Sequence, residues 1–444
     1  MKYFLLILLC AIGCEGVDDQ QQASPFAFTE VETAIRPTVC GSDDPTQILD
    51  VNGTGLGLFD YDNDGDLDLF VVSRGPESRC RMYKNETKDG NIIFAEVAAR
   101  SEFDSLRSAN GVAVGDVNGD GFEDLYVTCF GPNVLLINNG DGTFSDMTEE
   151  AGVGDEHWGT SAAFGDLDTD GDLDLYVCNY LEFDVQNPPP RAKYKGVSVL
   201  GGPHGMTPQK DIVYENLGDG TFVDVTQVWK LDAPAAFSLN VVILDVNGDG
   251  MQDIYVGNDS MENNLFINQS KEEILFEDVA LQTGAGVNGD GSMQATMGIA
   301  VADVDGSGTP DFFTTNFSSD TNTLHVNNVN YFEDRTKLFG LGLLSRTLLG
   351  WTCGFHDFDL DGDEDLLVVN GHVYPEATAG LMDSERAQPM LWMARVGDRF
   401  VHVDTSLDEN TYRDRAAVFG DLEGDGDTDV IVAERNGAVR VLRN

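Results

Sequence analysis

Asp60-Tyr61-Asp62-Asn63-Asp64-Gly65-Asp66-Leu67-Asp68 is the stretch on which the reading of this chain turns. Carboxylates stand at its first, third, fifth, seventh and ninth positions and a glycine at its sixth, and the pattern recurs six more times. The second copy is Asp116-Val117-Asn118-Gly119-Asp120-Gly121-Phe122-Glu123-Asp124, and the third runs from Asp166 to Asp174. The remaining four run from Asp245 to Asp253, Asp303 to Asp311, Asp357 to Asp365 and Asp421 to Asp429. Successive starts are as close as 50 residues, from Asp116 to Asp166, and as far as 79, from Asp166 to Asp245. That is the period of one four-stranded sheet with its connections.

The flanks repeat with the loops. Apolar residues stand four and two places upstream of each copy, as in Leu56 and Leu58, Val112 and Val114, or Ala417 and Phe419. A β-rich run follows each, such as Leu125-Tyr126-Val127-Thr128 or Ile254-Tyr255-Val256-Gly257. Period-two alternation on both sides predicts a hairpin closed by the acidic loop. Two more strand signals complete a unit: one ends in Asn (Asn138, Asn216, Asn268, Asn327), and one opens with Phe after an Asp-Gly turn, as at Phe144 and Phe222. Glycine accepts the positive φ of such turns. The seventh unit stops at Val441-Leu442-Arg443-Asn444 without its Phe strand, and an unpaired Phe28-Thr29-Glu30-Val31 stands before the first loop. Lending that strand to the last unit would close a ring and remove its free edges. The predicted fold is therefore all-β, a seven-bladed β-propeller with four-stranded antiparallel blades over residues 26–444, closed by an N-terminal strand that completes the last blade.

In DxDxDGxxD the side chains of positions one, three, five and nine converge, position seven offers its backbone carbonyl, and the glycine permits the sharp turn. Hard oxygen donors in that number suit Ca²⁺ better than Mg²⁺ or Zn²⁺. The expected ligands, up to seven Ca²⁺ in all, are Asp60, Asp62, Asp64, Asp66 and Asp68 in the first loop and Asp116, Asn118, Asp120, Phe122 and Asp124 in the second. The third and fourth offer Asp166, Asp168, Asp170, Asp172 and Asp174, then Asp245, Asn247, Asp249, Met251 and Asp253. The fifth offers Asp303, Asp305, Ser307, Thr309 and Asp311, and the sixth Asp357, Asp359, Asp361, Asp363 and Asp365. The seventh offers Asp421, Glu423, Asp425, Asp427 and Asp429. Loops one, three and six, with four Asp ligands each, are expected to bind most tightly. Neutral Asn118, Asn247 and Ser307 should weaken their loops, and the longer Glu423 should distort its own. A metal-free Asp/Gly turn would instead crowd several carboxylates together at a cost in repulsion.

The 444 residues carry 26 Lys+Arg against 77 Asp+Glu, a formal charge of -51 that repels nucleic acid and anionic membranes and attracts divalent cations. With 41% hydrophobic residues the chain can still bury a core. At the N-terminus, Met1-Lys2, an apolar run to Ile12 and Gly13-Cys14 read as an export signal over residues 1–14, too short to span a bilayer. Ala11-Ile12-Gly13-Cys14 resembles a bacterial lipobox, so the expectation is either lipidation at Cys14 or ordinary signal cleavage, with residues 15–25 as a polar tether. The expected location is extracellular or at the cell surface. Cys129, Cys178 and Cys353 fall in strand patterns and read as buried thiols, while Cys40 and Cys80 fall in polar stretches and are the candidates for a disulfide.

These residues resemble the FG-GAP/VCBS repeat of integrin α-chain propellers. They are most similar to the subset found beside ASPIC/UnbV domains, which includes the cartilage acidic protein family. The motifs that carry the likeness are Gly350-Trp351 leading to Phe355-His356-Asp357-Phe358-Asp359, Asn370-Gly371-His372-Val373-Tyr374-Pro375, and Asp219-Gly220-Thr221-Phe222-Val223-Asp224-Val225-Thr226. The resemblance implies a calcium-binding propeller used in adhesion or extracellular recognition. The sequence ends at Asn444, where that subset continues into an ASPIC/UnbV domain, so functions tied to that domain are not carried over.

On the face opposite the acidic loops, two connections are long, from Asn179 to Asp211 and from Asn370 to Gln388. They concentrate Arg191, Lys193, Tyr194, Lys195, His204, His372 and Tyr374, a basic and aromatic excess that predicts a surface for an extracellular protein or a carbohydrate. Cations that merely soften self-repulsion are the plainer account of the same residues. No nucleophile elbow, zinc HExxH or phosphate loop is present, so a binding or scaffold module is expected over an enzyme. The alternative is a propeller-based polysaccharide lyase or hydrolase using His204, His372 or Tyr194.

Overall fold

The computed structural model describes residues 25–75, 79–97, 103, 106, 108–405, 407 and 410–444. The export signal, Cys14 and nearly all of the tether lie outside the described residues. Seven four-stranded antiparallel sheets hold the strands of the described residues, apart from a small hairpin and one short strand appended to blade four. Blade one consists of Leu56–Phe59, Asp68–Val71, Arg81–Asn85 and Phe94–Glu96. Blade two (Ala109–Gly115, Asp124–Cys129, Val134–Asn138, Phe144–Asp146) repeats that order. In every blade the acidic loop joins the first strand to the second, as the flanking alternation predicts.

Ring closure follows the predicted register. Thr29–Val31 pairs antiparallel with Val439–Arg443, Thr29 opposite Arg443 and Val31 opposite Val441, so blade seven is built from both ends of the chain. Phe26 and Phe28, just before that strand, are buried between blades six and seven. Phe28 lies 4.5 Å from the Trp392 ring and 5.5 Å from the Phe358 ring. Apolar side chains thus fill each gap between neighbouring blades, and the core is a chain of such clusters around the ring.

The first strands of the blades lie innermost and approach closely. At Gly298 an added Cβ would collide with the Trp351 carbonyl of the next blade, so only glycine fits there. At the channel end away from the acidic loops, a cavity of about 270 Å³ is lined by Trp158, Asn240, Trp351 and Arg415. The long 179–211 connection lies beside this opening. Its hairpin of Ala192–Tyr194 and Val197–Val199 packs on Tyr374, Ala377 and Met382 of the 370–388 connection.

One expectation fails. Cys40 and Cys80 are free thiols, fully buried rather than set in polar surface loops. The Cys80 Sγ points at the carbonyls of Ser73 (3.6 Å) and Leu106 (3.8 Å). Burial pushes that thiol up to about 12, so the side chain behaves as a small apolar filler.

Candidate metal centres and the face opposite

Each acidic loop is shaped by its own carboxylates. In loop one, Asp60 accepts the backbone N–H of Asp64 (3.0 Å) and of Gly65 (2.8 Å), which wraps the chain around the first position. The sixth-position glycines all have positive φ, from 86° at Gly308 to 101° at Gly171. Position four is left-handed as well, which the sequence reading missed. Glycine fills it in four loops, but Asn63 (φ 55°), Thr169 (66°) and Leu360 (59°) fill it in the others. Such geometry is strained for Thr and Leu and persists only where the surroundings fix it.

Position nine does two jobs. In loop one the Asp68 carboxylate accepts the N–H of Tyr61 at position two (3.1 Å) and the N–H of Asn85 on the third strand (2.7 Å). The same pair of bonds recurs at Asp124, Asp174, Asp253, Asp311, Asp365 and Asp429. The third-strand partner then reaches across to the preceding blade. The amide nitrogen of Asn138 donates to the Tyr61 carbonyl of loop one, and Asn216, Asn268 and Asn327 donate likewise to Val117, Leu167 and Val246. Arg395 reaches the Val304 carbonyl and Asn444 that of Phe358, while Asn85 reaches Leu422 and joins blade one to blade seven. Sequence reading saw these Asn residues only as strand ends. They staple every acidic loop to the next blade. Replacing the buried Asn268 by Ala removes the staple and leaves the Leu167 carbonyl unpaired, so a loss of about 1–3 kcal/mol is expected in urea unfolding. An unchanged unfolding midpoint would show that the staple carries no weight.

Carboxylate oxygens can converge within 4.8 Å in four loops: Asp60, Asp62 and Asp68; Asp166, Asp168 and Asp174; Asp303, Asp305 and Asp311; and Asp357, Asp359 and Asp361. Several oxygens there are buried and accept no hydrogen bond, namely Asp62 Oδ1, Asp166 Oδ1 and Asp359 Oδ1, joined in loop seven by Asp427 Oδ1 and Glu423 Oε2. An orphaned carboxylate oxygen beside converging carboxylates fits a hard divalent cation, and so does the donor set. Loop five, expected to be weak because of Ser307, is one of the four in which carboxylate oxygens converge. Loop one differs from expectation for another reason: the Lys84 ammonium, from the third strand, bonds to Asp62 and lies 2.8 Å from Asp64 Oδ2.

Electrostatics agree that these loops hold more negative charge than their surroundings solvate. Burial pushes the carboxyls of Asp68, Asp124, Asp174 and Asp365 up to about 7, and those of Asp253 and Asp311 to about 6, against the pull of their two backbone N–H partners. Glu423 rises to about 8, through burial first and then a hydrogen bond shared with Asp429. Asp168 rises to about 6, again mainly by burial, with Glu215 among the neighbours that add to it. A carboxyl raised above its unfolded value stabilises the fold when protonated and loses that contribution as pH climbs through 6 to 7. In chelator, the melting temperature is therefore expected to rise as pH falls from about 8 to 6.5, before buried His356 and His372, held near 4 and 3, oppose the trend. A flat or falling profile over that window would contradict it.

On the opposite face the candidates divide. His372 is buried, its Nε2 2.9 Å from Ser318 Oγ and its Nδ1 accepting the Tyr374 N–H, which leaves it no surface to offer. Tyr194 donates its hydroxyl to the Ser318 carbonyl at 2.7 Å and packs against Phe317 and Tyr374. Arg191 pairs with Glu376, and Lys195 donates to the Met382 carbonyl at 2.5 Å. Lys193 and His204 are exposed. Most of this basic and aromatic set therefore fastens the two long connections to each other.

A ring of stapled blades, each carrying a carboxylate loop between its first two strands, defines a repeat propeller with candidate cation sites on one face. Residues 60–127, 116–177, 199–256 and 245–314 match the FG-GAP-like repeat, and the chain belongs to that family. Among similar proteins, cartilage acidic protein 1 of Homo sapiens is 28% identical over 337 residues, covering 63% of this chain and 49% of that protein. The Xenopus tropicalis protein of the same name is 26% identical over 337 residues, covering 63% and 50%. Integrin alpha pat-2 of Caenorhabditis briggsae is 26% identical over 275 residues, covering 55% of this chain and 21% of that one. The chain spans about half the length of the cartilage acidic proteins it matches.

Proposed function

We propose that this protein is a calcium-loaded propeller that works outside the cell as a recognition or scaffold module. The observation that carries the calcium reading is the buried, unpartnered carboxylate oxygens of Asp166 and Asp359 in loops three and six, where carboxylates also converge. Asp166, Asp168 and Asp174 would hold the ion in loop three, and Asp357, Asp359 and Asp361 in loop six. The ion would neutralise carboxylates that otherwise repel, and the loops so fixed would hold their strands and staples in register. Calorimetric titration of the chelator-treated protein with calcium tests this. Several sites are expected, with one fewer in Asp168→Asn, and a titration without heat or stoichiometry would remove the reading.

Recognition is supported by relatives named as cartilage acidic proteins and an integrin α chain, and by a formal charge of -51 that leaves nucleic acid an improbable partner. No helix among the described residues is long and apolar enough to cross a membrane, and the lipobox-like Ala11-Ile12-Gly13-Cys14 would offer a lipid attachment point at Cys14. Of the three acid–base candidates for polysaccharide cleavage, His372 and Tyr194 are committed to packing, which favours binding over catalysis. Contact with an anionic protein or carbohydrate would fall to Lys193 and His204, with Arg191 available if its pair with Glu376 opens. Binding to immobilised acidic glycans should weaken in Lys193→Ser without a change in calcium content. Equal binding would move the partner surface elsewhere.

A further inference from the structure

One position of the fold sorts the acidic loops from one another: the third-strand residue just before the staple. It is Ile137 in blade two, Ile267 in blade four, Val326 in blade five and Ala394 in blade six, none of which carries charge. Blade three has Glu215 there. Blades one and seven have cations, Lys84 and Arg443.

Both cations turn to the same place. Lys84 Nζ bonds to Asp62, at the third loop position, and to Asp64 Oδ2 at 2.8 Å. Arg443 Nε lies 3.5 Å from Glu423 Oε1, again the third position of its own loop. Asp62 is one of the three carboxylates, with Asp60 and Asp68, whose oxygens converge in loop one, and Asp64 stands at the fifth position of the same loop. A divalent ion seated there would stand within a few ångströms of the ammonium, and like charges that close repel strongly. The two occupants therefore exclude each other. The lysine holds an advantage that no dissolved ion has: it is tethered and present at all times, so its occupancy needs no mass action.

We infer that Lys84 is a built-in cation that takes the metal's place in loop one, so that blade one keeps its loop closed without calcium. The inference rests on the calcium reading of the other loops. The location gives it a purpose. Blades one and seven meet at the seam where the chain closes on itself, and Asn85 of blade one staples the Leu422 carbonyl of loop seven across that seam. Arg443 acts in the same sense in loop seven, more weakly, because its one contact with that loop is longer, its Nη1 also reaches the Gly90 carbonyl, and its side chain is 47% exposed. The join between the chain's ends is thereby shielded from swings in calcium, while the other blades respond to them.

Bound calcium counted by atomic absorption after equilibrium dialysis of the full chain tests the inference. Lys84→Ile, which installs the residue of blades two and four, is expected to bind about one more ion per chain than the wild type. Its melting temperature in chelator should fall while that in calcium recovers. Asp62→Asn in the wild-type background should leave the calcium count unchanged and lower the melting temperature equally with and without calcium. Should Lys84→Ile fail to fold, the Asp62→Asn count decides alone: loss of an ion means that calcium already fills loop one and the inference is wrong. A wild type that binds calcium, with no gain in Lys84→Ile, overturns the inference and spares the calcium reading. A wild type that binds none overturns both.

Discussion

Stripped of divalent cations, the protein is expected to melt about 4 to 9 °C below its calcium-saturated form. Sites in extracellular modules bind calcium with dissociation constants of roughly 0.1 to 1 mM. At about 10 mM calcium, a tenfold to hundredfold excess stabilises the fold by about 1.4 to 2.7 kcal/mol per filled loop. Loops three, five and six, where three carboxylates converge and no lysine intervenes, together contribute about 4 to 8 kcal/mol. That is comparable with the lower part of the roughly 5 to 15 kcal/mol by which an ordinary domain is stable. Differential scanning calorimetry with calcium and with chelator checks it, and coincident transitions would mean that the loops are turns without ions.

The second large effect belongs to the N-terminal strand. Phe28 is buried against Trp392 and Phe358, and the strand that follows it supplies the fourth strand of blade seven. Truncation of a buried Phe to Ala costs about 3 to 5 kcal/mol. Phe28→Ala should lose that much in urea unfolding and should also raise hydrogen exchange along Val439–Arg443, whose edge the strand covers. A change within about 0.5 kcal/mol, the range of an ordinary surface substitution, would mean that the ring holds without this clasp.

Much of this architecture could be read from the chain because its signals are local and repeated. Apolar residues such as Val112 and Val114 mark a strand by alternation, the acidic loops punctuate it, and the missing Phe strand of the last unit matches the extra one at the start. What escaped lies in contacts between distant segments. Lys84 enters loop one from a strand that begins well after the loop ends, and no spacing rule announces it. Asn268 looks like a strand terminus until its amide is seen on the Leu167 carbonyl of the neighbouring blade. Cys40 and Cys80 sit among polar neighbours in sequence, yet the fold buries both. The basic stretch around Arg191 reads as free surface, but the fold spends Tyr194 and Lys195 on the 317–318 and 382 segments instead. The left-handed Leu360 was hidden because glycine at position four in other loops reads as mere turn composition.

The antiparallel pairing of Thr29 with Arg443 sets both ends of the ring at the same end of blade seven, on the side of the acidic loops. Tension drawn between a surface holding the N-terminal side and a load on the C-terminal side would meet those backbone bonds one at a time, from Thr29 toward Val31, as a zip is opened. Blade seven would yield first and at low force, with six blades still folded behind it.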